Sequence, residues 1–242
     1  MAGIRFNKQK RQLAFTLFVR GVVLGLLAMV AWFGLHALPD TINPFSPVEL
    51  TSPVGPLTNV KLRLLQPRYE ACLATIKRRG MTIERAEISS PLKGCGMEKG
   101  VKLTKAPLIH GGPLDMSCGL AAALLIWEGQ VVVPQADDIL GSPVTRIRHY
   151  GTYSCRNVNH AKAGRLSAHA EARAIDVAGF DLADGRRVSV LKDWGKDTPE
   201  GRFLKSVHDD ACRVFSVVLG PEYNDLHKNH FHFDMSAWSA CK

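Results

Sequence analysis

The chain has 242 residues, with 31 Lys and Arg against 22 Asp and Glu, a formal net charge of +9. Five of the cations, Arg5, Lys8, Lys10, Arg11 and Arg20, precede the first acidic residue, Asp40. The roughly +4 left for the rest forms no clustered basic stripe, so no nucleic-acid partner is expected.

Behind the basic flank comes the apolar run Gly21–Leu38. At about 1.5 Å per residue it spans roughly 27 Å, just enough to cross a bilayer core. Positive charge on its N-terminal side predicts that this end stays in the cytoplasm. The segment reads as a signal anchor, or as a signal peptide if it is cut; Leu35-His36-Ala37 is a poor substitute for a small-x-small cleavage site, which favours residues 1–38 as an uncleaved single-pass anchor in the inner membrane, with the rest of the chain in the periplasm. Pro39, Pro44, Pro47, Pro53 and Pro56 then punctuate a stretch without periodicity, expected as an extended tether over residues 39–60.

Residues 61–242 contain no repeat or low-complexity tract and suit one domain with its own core. Tyr69, Cys72, Leu73 and Ile76 recur at helical spacing and stop at Gly80. Ser117 can cap a helix running through Leu120, Leu124 and Trp127. Thr198-Pro199 opens a third, with Phe203, Leu204, Val207, Ala211 and Phe215 as its apolar stripe. Alternation predicts strands at Val144–Tyr153, Ala174–Leu182, Arg187–Leu191 and Asn229–Met235, with Asp184-Gly185 as a hairpin turn. The expected fold is α+β, with helices packed on a small, largely antiparallel sheet.

All six cysteines (Cys72, Cys95, Cys118, Cys155, Cys212, Cys241) follow the apolar run, as suits an oxidising compartment. Six cysteines allow fifteen pairings, and their spacing does not choose among them. There is no C-x-x-C, so neither a redox motif nor a thiolate zinc site is indicated.

The chemistry concentrates in two short segments. Ser167-Ala168-His169 runs on to Asp176, and His227, His230, His232 and Asp234 crowd into eight residues. A catalytic zinc takes about three protein ligands of the His, Asp or Glu kind and keeps a position for water. His230 and His232 are two apart, so on a strand both rings point to one face. Asp176 alternates with Ile175 and Val177 and lies between Ala174 and Ala178, which leave room for an ion. The two segments are expected on neighbouring strands.

The pattern S-x-H-x(6)-D followed by H-x-H resembles the zinc peptidases grouped around the D-Ala-D-Ala carboxypeptidases, the lysostaphin-type endopeptidases and the hedgehog fold. With Gly94–Gly96, Cys155-Arg156, Asp176–Phe180, Val218–Asn224 and His230–Asp234, the stretch from about Val60 to Cys241 is similar to the bacterial extensin-like C-terminal domain family. The resemblance implies Zn2+ held by His169, Asp176 and His232, and peptidoglycan peptides as substrate. His230 then stands beside the metal as a catalytic residue. His227 takes the place of the carboxylate base of the carboxypeptidases, with Asp225 a weaker candidate. Arg156 resembles the arginine of the carboxypeptidases that faces negative charge on substrate, with a plain salt bridge as its alternative role. The peptidase pattern commonly reads S-E-H-x-x-G-x-A-x-D, whereas Ala168 replaces the Glu here and Ala172 the Gly.

Asp234 is most simply an acceptor that fixes a histidine tautomer. His36, His110, His149, His160 and His208 read as solvated or core groups. The expected function is a membrane-anchored, periplasmic, zinc-dependent peptidase acting on peptidoglycan peptides. The alternative is a non-catalytic, metal-stabilised wall-binding or envelope scaffold module of the same fold.

Overall fold

The computed structural model describes residues 2–106, 108 and 111–242; His110 and the side chains of residues 2–9, with the flank cations Arg5 and Lys8, lie outside the described residues. The chain divides into two units, Met1–Ser46 and Pro47–Lys242.

The first unit is dominated by helix α1 (Ala2–His36). Within its stretch Lys10–His36 an 18-residue window has a mean hydropathy of 2.3, and none of that window is buried. Twenty-seven helical residues reach about 40 Å, more than a hydrocarbon core of about 30 Å. The helix could therefore serve as a membrane anchor or as a signal peptide.

The second unit begins with α2 (Thr58–Leu65) and α3 (Tyr69–Arg78), followed by β1 (Thr82–Ile88), β2 (Met97–Lys105) and β3 (Leu114–Ser117). These strands form an antiparallel sheet in the order β1-β2-β3. Ser117 ends β3 and caps α4 (Cys118–Trp127), its Oγ accepting from the Leu120 N–H. Helix α4 is apolar on every side, as a core or membrane-spanning helix is, and the burial of all ten of its residues makes it a core helix. It continues in wide π-type turns at Glu128–Val132 and Ala136–Leu140, on either side of Pro134, which has no N–H to close the ladder. Gly141 ends it in the left-handed conformation at φ 65°.

The larger sheet contains β4 (Val144–His149), β5 (Ala174–Leu182), β6 (Arg187–Ser189), β7 (Val217–Leu219), β8 (Phe231–Asp234) and β9 (Ala240–Cys241). Its order is β4-β5-β8-β7-β9, with β6 also on β5, and only the β7–β9 pair is parallel. Helix α5 (Pro199–Ala211) starts as the sequence predicts, with Thr198 accepting from the Gly201 N–H and Pro199 in the first turn. The fold is thus α+β and largely antiparallel.

Trp127 centres the core. Its ring meets Phe180, Phe215 and Phe233 at centroid distances of 6.0, 6.3 and 5.1 Å, and its indole N–H donates to the Val207 carbonyl at 2.9 Å. Phe233 lies on β8, so the strand that carries His232 is fixed from behind by this aromatic packing, whose loss costs about 3–5 kcal/mol per truncated ring. Three disulfides, Cys72–Cys118, Cys95–Cys155 and Cys212–Cys241, use all six cysteines. They suit an oxidising compartment.

Several elements depart from the sequence expectation. The stretch expected as tether does not stay free to residue 60: Val48 and Leu50 are buried in the core, and Thr58 already opens α2. Strand β4 ends at His149 rather than Tyr153: the Tyr150 N–H still donates to the Asp176 carbonyl of β5, and Gly151 then turns the chain at φ 105°. Strand β6 stops at Ser189, whose N–H is taken by the Asp193 carboxylate as the chain enters the turn Val190–Asp193. Strands β1–β3, β7 and β9 and helix α2 carry patterns too short or too irregular to stand out in the sequence.

Candidate metal centre

Strands β5 and β8 pair antiparallel with Asp176 directly opposite His232 and Ala174 opposite Asp234. Strand alternation sends Ile175, Val177, Phe231 and Phe233 into the core, where all four are fully buried, and leaves Asp176, His232 and Asp234 lining one cleft on the other face. His169 comes from a single 3₁₀ turn, Ala168–Glu171, capped by Ser167, whose Oγ accepts from the His169 N–H. That turn closes with Ala172 in the left-handed conformation, at φ 50°. Ala172 stands where the resembled pattern has glycine, and its backbone is one that glycine adopts without strain.

Three donor atoms converge. His169 Nε2 lies 3.1 Å from Asp176 Oδ1 and 3.2 Å from His232 Nδ1, and the latter two are 2.9 Å apart. A tetrahedral zinc with bonds of about 2.0–2.1 Å sets its donors about 3.3 Å from one another, so the triangle is the right size for a small divalent ion. The remaining ring nitrogens are tied away from the centre. His169 Nδ1–H donates to the Thr152 carbonyl at 3.0 Å, and His232 Nε2–H donates to Asp234 Oδ2 at 3.2 Å. Asp234 is held in turn by the Ser236 N–H on its Oδ1 at 2.8 Å. These outer bonds select the tautomers that aim both lone pairs inward, as histidines that bind metal require. His169, Asp176 and His232 could therefore hold a metal ion.

With no ion bound, the same atoms form a tight ionic cluster. Burial would push the Asp176 carboxyl up, but hydrogen bonds from His169 and His232 outweigh it and hold the group well below the usual carboxylate range. Burial likewise opposes charge on His232, yet its bonds to Asp176 and Asp234 raise it to about 9.

The cleft around the cluster has a volume of about 740 Å³. His230 and His227, both expected near the metal, line it. His230 Nδ1–H donates to Asn229 Oδ1 at 2.8 Å, which leaves Nε2 3.5 Å from Asp176 Oδ1. His227 Nδ1–H donates to Asn224 Oδ1 at 2.7 Å. Its ring centre lies 5.2 Å from that of His230 and 5.9 Å from that of His232. Burial, aided by neighbouring histidine charge, lowers His227 to about 4, and burial lowers His230 as well. Both are neutral at pH 7, so each keeps a lone pair on Nε2. Arg156 also enters the cleft, its guanidinium 4.0 Å from Asp176 Oδ2 and its backbone pinned by the neighbouring Cys95–Cys155 disulfide.

Asp225 is exposed and is not among the cleft residues, so the weaker candidate base is not brought to the site. Of the other histidines, His36 packs on Trp32 within α1, His149 accepts from the Gly151 N–H, and His208 is buried among Trp194 and Phe231. His160 does line the cleft, from an exposed turn in which it has φ 56°. Tyr150, Tyr223, Arg165 and Trp238 line it too and were not anticipated. Only their positions after folding mark them, since none belongs to a metal motif.

Residues 70–242 match the family model described as extensin-like protein C-terminus, and the chain belongs to that family. No curated protein and no solved structure matches it.

Proposed function

We propose that this member of the extensin-like C-terminal family is a metal-dependent hydrolase that cleaves peptides of the peptidoglycan wall, related in mechanism to the D-Ala-D-Ala carboxypeptidase and lysostaphin-type zinc peptidases. One observation carries the reading. Three inward-facing donors from His169, Asp176 and His232 sit at the floor of an open cleft that also holds two neutral histidines and an arginine.

Zinc fits this nitrogen and oxygen donor set, and when bound it supplies Lewis acidity that activates water and polarises a carbonyl. His230, whose Nε2 faces Asp176, takes the proton of the attacking water and returns it to the leaving amine. His227, whose ring centre lies 5.2 Å from that of His230, accepts a hydrogen bond or the same proton. Arg156 holds a substrate carboxylate or the oxygen on which negative charge develops. Asp234 and the Thr152 carbonyl keep the two ligand rings in orientation throughout. The helix α1 then confines the activity to the outer face of the inner membrane, where the disulfides are stable.

The non-catalytic wall-binding alternative draws on a different observation. The carboxylates lining the cleft are Glu171, Asp176 and Asp234, and each is engaged, with Arg173, the two ligand histidines and His232 respectively. No carboxylate is left to act as base. Incubating the zinc-loaded full chain with purified muropeptides and reading the products by mass spectrometry decides between the two. New peptides or free alanine are expected, whereas sedimentation with sacculi and no product identifies the binding module.

A further inference from the structure

The wall of the cleft beside Arg156 is a tight hairpin. Asn157 bridges Leu166, the Ser167 N–H donates to the Arg156 carbonyl, and the Val158 N–H donates to the Arg165 carbonyl. In that register Arg156 and Arg165 are diagonal neighbours across the two strands and project from the same face, with backbones about 7–8 Å apart. Both side chains line the cleft. Arg156 has a carboxylate, Asp176, at 4.0 Å; among the described residues Arg165 forms no ion pair. It is placed instead by Trp238, which comes from the segment after β8. The Arg165 guanidinium carbon lies 4.9 Å from the indole centre. Trp238 is 41% exposed at the cleft rim.

Stacking on an indole holds a guanidinium by its face and uses none of its N–H donors. The planar fork stays free to take a carboxylate with two parallel hydrogen bonds. A cation fixed in this way, uncompensated, and beside a second arginine that faces the metal site is an arrangement for a ligand with two negative groups.

We propose that Arg165, held over Trp238, is a specificity-determining residue that binds a second carboxylate of a peptide whose first carboxylate meets Arg156. The cleft would thus prefer peptides bearing two acidic groups one or two residues apart. This rests on the reading of the cleft as a peptide site.

The test uses the zinc-loaded full chain in detergent and N-acetyl tripeptides made in L and D forms, identical but for Glu or Gln at the penultimate position. Calorimetry is expected to show about tenfold tighter binding of the Glu peptide. Arg165→Gln and Trp238→Leu should each abolish that preference while leaving the affinity for the Gln peptide unchanged. Arg165→Lys should restore only part of it, because an ammonium has no fork. Retention of the preference in Arg165→Gln overturns the proposal, as does an equal loss for both peptides or the binding of neither. Cleavage without a Glu preference removes this subsite and keeps the hydrolase; a Glu preference without cleavage of any peptide removes the hydrolase and keeps the subsite.

Discussion

Asp176 and His232 face each other across the β5–β8 pair, with His232 Nδ1 2.9 Å from Asp176 Oδ1. Residues fifty-six apart in sequence become nearest neighbours because antiparallel register places them in one rung. Removing one of them should remove the site. The full chain is expected to purify with close to one zinc per molecule, and His232→Ala to lose it. Elemental analysis that found full zinc in the His232→Ala protein would refute this ligand set.

The same pair fixes a pH dependence. In the metal-free protein His232 is raised to about 9 from 6.5, so at pH 7 it holds a proton that an incoming ion must displace. Calorimetry in two buffers of different ionisation enthalpy should show release of about one proton per zinc. Apparent affinity should rise by up to about tenfold per pH unit towards pH 9.

Stability of the metal-free protein follows with its own sign. A histidine whose folded value is raised contributes stability that is full below about 6.5 and lost as pH climbs through about 9. Asp176, held low, contributes stability that is present above about 3.8 and lost as pH falls through its folded value. With chelator present, the denaturation midpoint should therefore be lower at pH 9.5 than at pH 6. Loading with zinc should raise the midpoint at pH 9.5 more than at pH 6. A midpoint in chelator that does not change between the two pH values would count against the ionic cluster.

The site was more legible in the sequence than the fold around it. His169, Asp176 and His232 fall in short motifs whose spacing reflects chemistry, and strand alternation alone puts Asp176 and His232 on the face opposite Ile175 and Phe233. Caps were legible for a similar reason, since Ser117 and Thr198 act on N–H groups three residues away. Features that depend on distant partners were not. Strands β1–β3 are recognisable only once paired, and the burial of Val48 and Leu50 needs a core that lies elsewhere in the chain. The π-type extension of α4 past Trp127 is stabilised by tertiary packing across a proline, which local propensity would have used to stop the helix. Arg165 and Trp238 are seventy-three residues apart and meet only because two loops border the same cleft.

The disulfides make a prediction about compartment. Alkylation of the native-source protein without reductant should modify none of the six cysteines, and alkylation after reduction all six. Modification of all six without reductant would exclude an oxidising location. Replacing Cys95 and Cys155 together with Ser should cost about 2–5 kcal/mol and loosen Arg156, so peptide binding should weaken more than zinc binding does.

Proton transfer separates the enzyme from a binding module most directly. His230 presents Nε2 to Asp176 at 3.5 Å, and the tilted His227 ring lies 5.2 Å from it between centres, yet neither belongs to the converging triad. Burial lowers both, His227 to about 4, so both are neutral at pH 7 and each can accept a proton where a protonated imidazole could not. Removing a group that only moves protons should cost about 10²–10⁴ in rate and leave the metal in place. His230→Ala is therefore expected to abolish muropeptide cleavage while zinc content, the circular dichroism spectrum and sedimentation with sacculi stay as in the wild type. His227→Ala should fall in the same direction by a smaller factor, because it is His230 that brings a ring nitrogen to 3.5 Å from Asp176. If His230→Ala lost zinc along with activity, His230 would be a fourth ligand, the open coordination position would close, and a structural metal would be the better account of the site.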